Sequence, residues 1–195
     1  MASTISAGTS AGTAIAIAGD TSGNLAFQTQ AGANTITVPN ATGTILTTGS
    51  PQSGGVIQVV QGNYTSSMTT TSTSFVDTGI TATITPKFAT SNILVIVNLS
   101  GGATSAVAYK LLRGSTGLSV STLGSALNGS FGAFLSNANL VAASGFNYID
   151  SPATTSATTY KIQLAVDSGT ASINRRTSDT AFGYTSNITL MEIAA

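Results

Sequence analysis

The stretch Asn92-Ile93-Leu94-Val95-Ile96-Val97-Asn98-Leu99 decides the fold. It is a continuous apolar strand, as expected for the middle of a β-sandwich, and it is far too short to span a bilayer. Working outward, residues 159–167 alternate cleanly, with Tyr160, Ile162, Leu164 and Val166 in phase against mostly polar partners. Residues 106–113 likewise put Val107, Tyr109 and Leu111 on one face, the period of two that marks a strand. Residues 56–61 open the domain and 186–193 form its last strand, while 74–77 and 79–85 read as two strands after a Thr/Ser-rich linker. Residues 86–91 and 113–117 read as turns, and Asp167-Ser168-Gly169-Thr170 as a hairpin-like turn from which 171–175 return. Residues 118–150 hold Phe131, Phe134, Leu135, Leu140 and Val141 among Gly and Asn, and read as strands and loops. About eight strands over about 140 residues, with no helical stripe, predict an all-β chain with a β-sandwich or jelly roll.

Composition narrows the chemistry. The chain has 195 residues, six basic and six acidic, so charged residues make up only 6%. A typical soluble domain carries about 25%. Ser and Thr together reach about 30% and there are 21 Gly. With neither Cys nor His, standard zinc sites, thiol nucleophiles, haem ligation, disulfides and a Ser-His-Asp arrangement are excluded. Zero net charge with six scattered cations argues against nucleic acid as a partner. Neither a membrane span nor a signal peptide is visible, and no cofactor is implied. A mean hydropathy of +0.32 with 42% hydrophobic residues argues for an ordered protein.

The composition shifts near residue 55. Residues 1–55 hold a single charge, Asp20, and close on Thr48-Gly49-Ser50-Pro51-Gln52-Ser53-Gly54-Gly55. Short alternating runs precede this mark, with Ile15 and Ile17, Leu25 and Phe27, and Ile36 and Val38 each sharing a face, and 43–47 as a weaker fourth. They recur about every ten residues. Each buries two apolar side chains, so a monomer built this way has almost no core. Identical chains packed about an axis supply the missing surface, which makes these six residues the expected oligomer core. The expected division is a stem over 1–55 and a sandwich head over 56–195.

Two stretches carry a resemblance. The text GDTSGNLAFQT at 19–29, continuing through ITVP at 36–39 to GTILTT at 43–48, resembles fibre-stem segments of virion structural proteins of tailed bacteriophages, notably marine ones. The text TTTSTSFVDTGITATITP at 69–86, with NILVIVNLSGG at 92–102 and LLRGST at 111–116, resembles the globular domains appended to such stems. The resemblance covers about half of the chain and brings no catalytic motif. It implies a homotrimeric, non-enzymatic protein of the virion surface, made in the host cytoplasm. That protein would have a β-structured stem that docks on other virion proteins and a jelly-roll-like head. The chain is short for a whole tail fibre, which points to a short fibre, a capsid decoration protein or a fibre tip. A receptor-binding tip that recognises host surface glycans is the alternative, and a glycan depolymerase ranks below both.

Candidate sites are few. Glycoside cleavage needs two carboxylates at a set separation. Asp20, Asp77, Asp150, Asp167, Asp179 and Glu192 form no spaced pair, and Asp77 and Asp167 read as residues beside Gly-containing turns. Arg175 and Arg176, with Asp179 and Tyr184, offer a patch for a charged glycan or an acidic surface; the competing reading is a solvated loop with a local ion pair. Five Asn-x-Ser/Thr triplets, at Asn40, Asn63, Asn98, Asn128 and Asn187, follow from the Ser/Thr content. Residues 167–169 lack the further oxygen ligands of a calcium loop, and Gly12, Gly19 and Gly23 lack the Lys of a phosphate loop.

Overall fold

A computed structural model of the chain describes residues 25–28, 35–38 and 52–195. The chain divides into two units, Met1–Ser50 and Pro51–Ala195. In the first, β1 (Leu25–Gln28) and β2 (Thr35–Val38) pair antiparallel, with Leu25 opposite Val38 and Phe27 opposite Ile36. Ile15 and Ile17, and the run at 43–47, lie outside the described residues. In the second unit, the amide of Gly54 donates to Ala194 and that of Ala194 donates to Gly55, so residues 54–55 already belong to the head.

The head is all-β. Its strands are β3 (Val56–Tyr64), β4 (Met68–Thr70), β5 (Val76–Ile84), β6 (Asn92–Ala103), β7 (Ala106–Arg113), β8 (Thr116–Leu118), β9 (Phe131–Phe134), β10 (Ala142–Asp150), β11 (Thr158–Val166), β12 (Ala171–Ile173) and β13 (Ser186–Ile193). They form two antiparallel sheets. In the larger, β6 is central. One of its edges takes β10, and the other takes β13 and, further along, β12. Beyond these, β3 pairs with β13 and β4 with β12. In the smaller sheet, β11 lies between β5 and β7, and the far edge of β7 takes β8 and β9.

The two sheets share one core. Ile93, Val95, Val97 and Leu99 from β6 and Ile188 and Leu190 from β13 meet Ile80, Tyr109, Leu111, Ile162 and Leu164 from the smaller sheet. Alternation of these residues with outward ones is what a sandwich requires. Along one side β3 runs against β5, and Gly62 has no room for a Cβ because the Thr81 carbonyl oxygen occupies its place. Along the other side the Phe131 ring of β9 stacks on Phe146 of β10 at 5.2 Å between centroids, with Tyr109 5.0 Å from Phe131.

Several sequence expectations need correction. The turn at 167–170 is not a hairpin. It crosses between sheets, since β11 belongs to the smaller one and β12 pairs with β6 and β4. The cause is local: the amide of Thr104 donates to Thr170 O, and the amide of Asp167 donates to Ala106 O, so the bend between β6 and β7 captures the turn. The Thr/Ser-rich linker contains β4, and residues 74–77 and 79–85 are largely one strand, β5, running through Gly79. Asp77 therefore sits on a strand rather than beside a turn. There are eleven strands among the described head residues, several of only three or four residues, instead of about eight.

A polar tie joins the sheets at one end. Arg113 Nη1 on β7 donates to both oxygens of Asp150 on β10, at 2.9 and 2.8 Å, and the Tyr160 hydroxyl on β11 donates to Asp150 Oδ2 at 2.6 Å. Asp150 is buried and Tyr160 wholly so. Removing one partner of such a group leaves the others uncompensated. Asp150→Ala should cost about 3 kcal/mol, read as a lower urea midpoint with an unchanged slope; a shift within error would show that the tie adds nothing.

Candidate functional site

The outer faces of the two sheets differ in chemistry. On the larger sheet, register sets Leu94 between Met191 and Ile149, with Val59 beyond Met191. This apolar row crosses four strands, and Val59 and Ile149 are 56% and 59% exposed. The next row is Gln61, Thr189, Ile96 and Asn147, with Gln61 Nε2 donating to Thr189 Oγ1 at 3.0 Å. A third row sets Asn63, Asn187 and Asn98 side by side. None of these three rows holds a charged residue.

The outer face of the smaller sheet carries charge. Lys161 Nζ lies 2.9 Å from Asp77 Oδ2, and Gln163 Nε2 donates to Asp77 Oδ1 at 2.8 Å. The Lys161 and Gln163 contacts hold the Asp77 carboxyl below its ordinary value. Lys110 Nζ lies 3.8 Å above the Phe75 ring. In the strand register Lys110 faces Gln163, Lys161 faces Leu112, and Leu112 faces Gly117. Together with Ser115 and Val120 they line an open surface depression of about 540 Å³.

The residues singled out in the 175–184 loop are brought together, but mainly to serve each other. Arg176 clasps Asp179 through Nε and Nη2, at 3.1 and 2.9 Å, and lies 4.3 Å from the centre of the Phe182 ring. Arg175 Nε donates to the Arg176 carbonyl. Tyr184 is 43% exposed, and its amide donates to Asn174 O. The loop hangs on Asn174, which sequence reading passed over. Its side-chain amide donates to Tyr64 O and Ser66 O, Ser186 Oγ donates to its Oδ1, and its φ is +61°. Asn is one of the few residues that tolerate that conformation.

Of the six carboxylates weighed as catalysts, Asp20 lies outside the described residues and four others hold structure together. Asp77, Asp150 and Asp179 are bound as described above. Glu192, fully buried, accepts from Gln58 Nε2 at 2.6 Å and from the amides of Lys87 and Phe88 at 2.8 and 3.2 Å. It thereby pins the connection from β5 to β6. Among the described residues no group of three or more acidic side chains could hold a metal ion. No helix among them is long and apolar enough to cross a membrane. Comparison with protein-family models and with curated proteins finds no match for this chain.

Burial alone would raise the Glu192 carboxyl, but the donors from Gln58, Phe88 and Lys87 outweigh it and hold it below the ordinary 4.5. The folded state therefore binds fewer protons than the unfolded one near that pH. The stabilisation is complete above the unfolded value and is lost as pH falls through the folded value. Chemical denaturation midpoints should fall from pH 6 towards pH 3. Glu192→Gln should flatten that decline, leaving the part due to Asp77 and Asp179, whose carboxyls are also lowered. An unchanged pH profile in the variant would contradict the assignment.

Proposed function

We propose that the chain is a non-enzymatic virion surface protein of a tailed phage. It would be a short homotrimeric fibre or decoration protein on capsid or tail, with a jelly-roll-like head. Its N-terminal segment would dock on other virion proteins. The observation that carries the oligomeric part is the uncharged outer face of the larger sheet, with Leu94 and Ile96 outward on the central strand. The phage assignment rests on the stem-like and head-like stretches of sequence.

Other copies of the same chain suit that face best. Charge is depleted at the cores of protein interfaces, and a face without charge loses little solvation against an equally neutral one. The chain supplies such a face itself. Four strands about 4.8 Å apart and eight residues long at about 3.4 Å give on the order of 500 Å² in flat projection. Side-chain relief brings this towards the ~800 Å² per partner of stable interfaces. The nine-residue β10, paired only with β6 among the described strands, has neither Lys nor Pro, the usual guards against edge pairing. Packing of copies would cover it.

Light scattering on the size-exclusion peak should give three times 19.3 kDa for the chain. Leu94→Asp, which puts a charge in the centre of the apolar row, should shift the mass to 19.3 kDa while the circular dichroism of the β-fold persists. A monomeric parent chain, or a variant that assembles like the parent, would refute the shared face.

A further inference from the structure

The uncharged outer face of the larger sheet is graded along its strands. The row of Val59, Met191, Leu94 and Ile149 is wholly apolar. The next mixes Gln61, Thr189 and Asn147 with Ile96, and the third sets Asn63, Asn187 and Asn98 in line with Gly145. Successive rows lie two residues apart, about 7 Å. The chain enters the head beyond the apolar end, where the amides of Gly54 and Ala194 tie residues 54–55 to the end of β13.

The amide row is unfinished. Asn98 Nδ2 donates to Asn187 Oδ1 at 3.3 Å. A side-chain amide carries both donors and an acceptor. The oxygen of Asn98 and the nitrogen of Asn187 meet no partner among the described residues. Asn98 is exposed, and Gly145 leaves its β10 side open although a Cβ would fit there, with Val97 O the nearest atom at 3.7 Å.

We propose, resting on the shared face above, that this amide row sets the direction in which copies pack. Outer faces meet with their strands running the same way, so that Asn63, Asn187 and Asn98 of one copy lie against those of the next. An amide is its own complement, since it can donate to its like and accept from it. Rotation about an axis along the strands sets each row against its own kind, apolar on apolar and amide on amide. Turning one copy end for end about the middle row sets Leu94 and Met191 against Asn98 and Asn187. That arrangement takes amides out of water without a partner, which is unfavourable. A single buried Asn fixes register and copy number in coiled coils by the same penalty. Packing in one direction also brings residues 52–55 of every copy to one end.

The test is the distance between spin labels on the full chain, which has no Cys of its own. Ser53, exposed and beyond the apolar end of the face, carries the label as Ser53→Cys. Packing in one direction should give a single population of same-site distances below about 30 Å, whereas end-for-end packing sets the labels on the order of 40 Å or more apart. Asn98→Leu with Asn187→Leu in the labelled chain should keep the assembled mass and split the distances into both populations. Thr189→Leu, in the row that meets itself in either direction, should keep the single short population. A long distance in the parent chain would overturn the proposal. So would an unchanged short population in the double Leu variant, or a split in Thr189→Leu. Light scattering on the same samples reads assembly separately, so each of these results would leave the shared face standing. A single-copy mass for the parent chain would overturn both.

Discussion

Strand β6 is apolar on both faces, and a two-layer sandwich covers only one of them. Ile93, Val95 and Val97 enter the core, while Leu94 and Ile96 on the same strand turn outward. Everything in the larger sheet is arranged around that strand: β10 on one edge, β13 and β12 on the other. The neighbours extend the outward row with Met191, Val59 and Ile149 instead of masking it with charge. Burying one aliphatic side chain contributes about 1.5–3 kcal/mol. Val59 and Ile149 are little more than half exposed and Leu94 and Met191 less so, so covering the four gains roughly half of the full figure or less and offsets only part of the ~4–15 kcal/mol or more lost on association. The constraint that organises the sandwich is therefore also the one that calls for a second layer of cover.

The scarcity of charge has a counterpart inside the head. Asp150 ties β10 to β7 and β11, and Glu192 fastens the β5–β6 connection. Arg176 and Asp179 close the 175–184 loop. Lys161 on β11 pairs with Asp77 on β5, and neutral groups add further cross-strand contacts, as with the Thr83 and Thr159 hydroxyls 2.7 Å apart and Asn98 bonded to Asn187.

The main strands of the head were legible because their burial has a strict period. Tyr160, Ile162, Leu164 and Val166 alternate in the text and are buried in the structure, and the last strand runs over Ser186–Ile193 as read. The short strands were not. Met68–Thr70 and Ala171–Ile173 are held by pairing with distant chain, and nothing in three residues announces that. Strand β10 was hidden because Gly145 and Asn147 break its outward row while Phe146 and Tyr148 face in. The depression on the smaller sheet was illegible for a related reason: Lys161 and Gln163 come beside Leu112 and Lys110 only through the pairing of β11 with β7. Asp150 and Glu192 looked like any surface acid until their burial was known.

The most direct test of the shared face is the reactivity of Met191, which lies in the middle of the apolar row. Peroxide oxidation of Met191 should be slow in the assembled protein and should speed up markedly in Leu94→Asp, with Met68 as internal reference. Equal rates at Met191 in both proteins would mean that the outward face of β6 is open in the native state, and the account of its cover would be wrong.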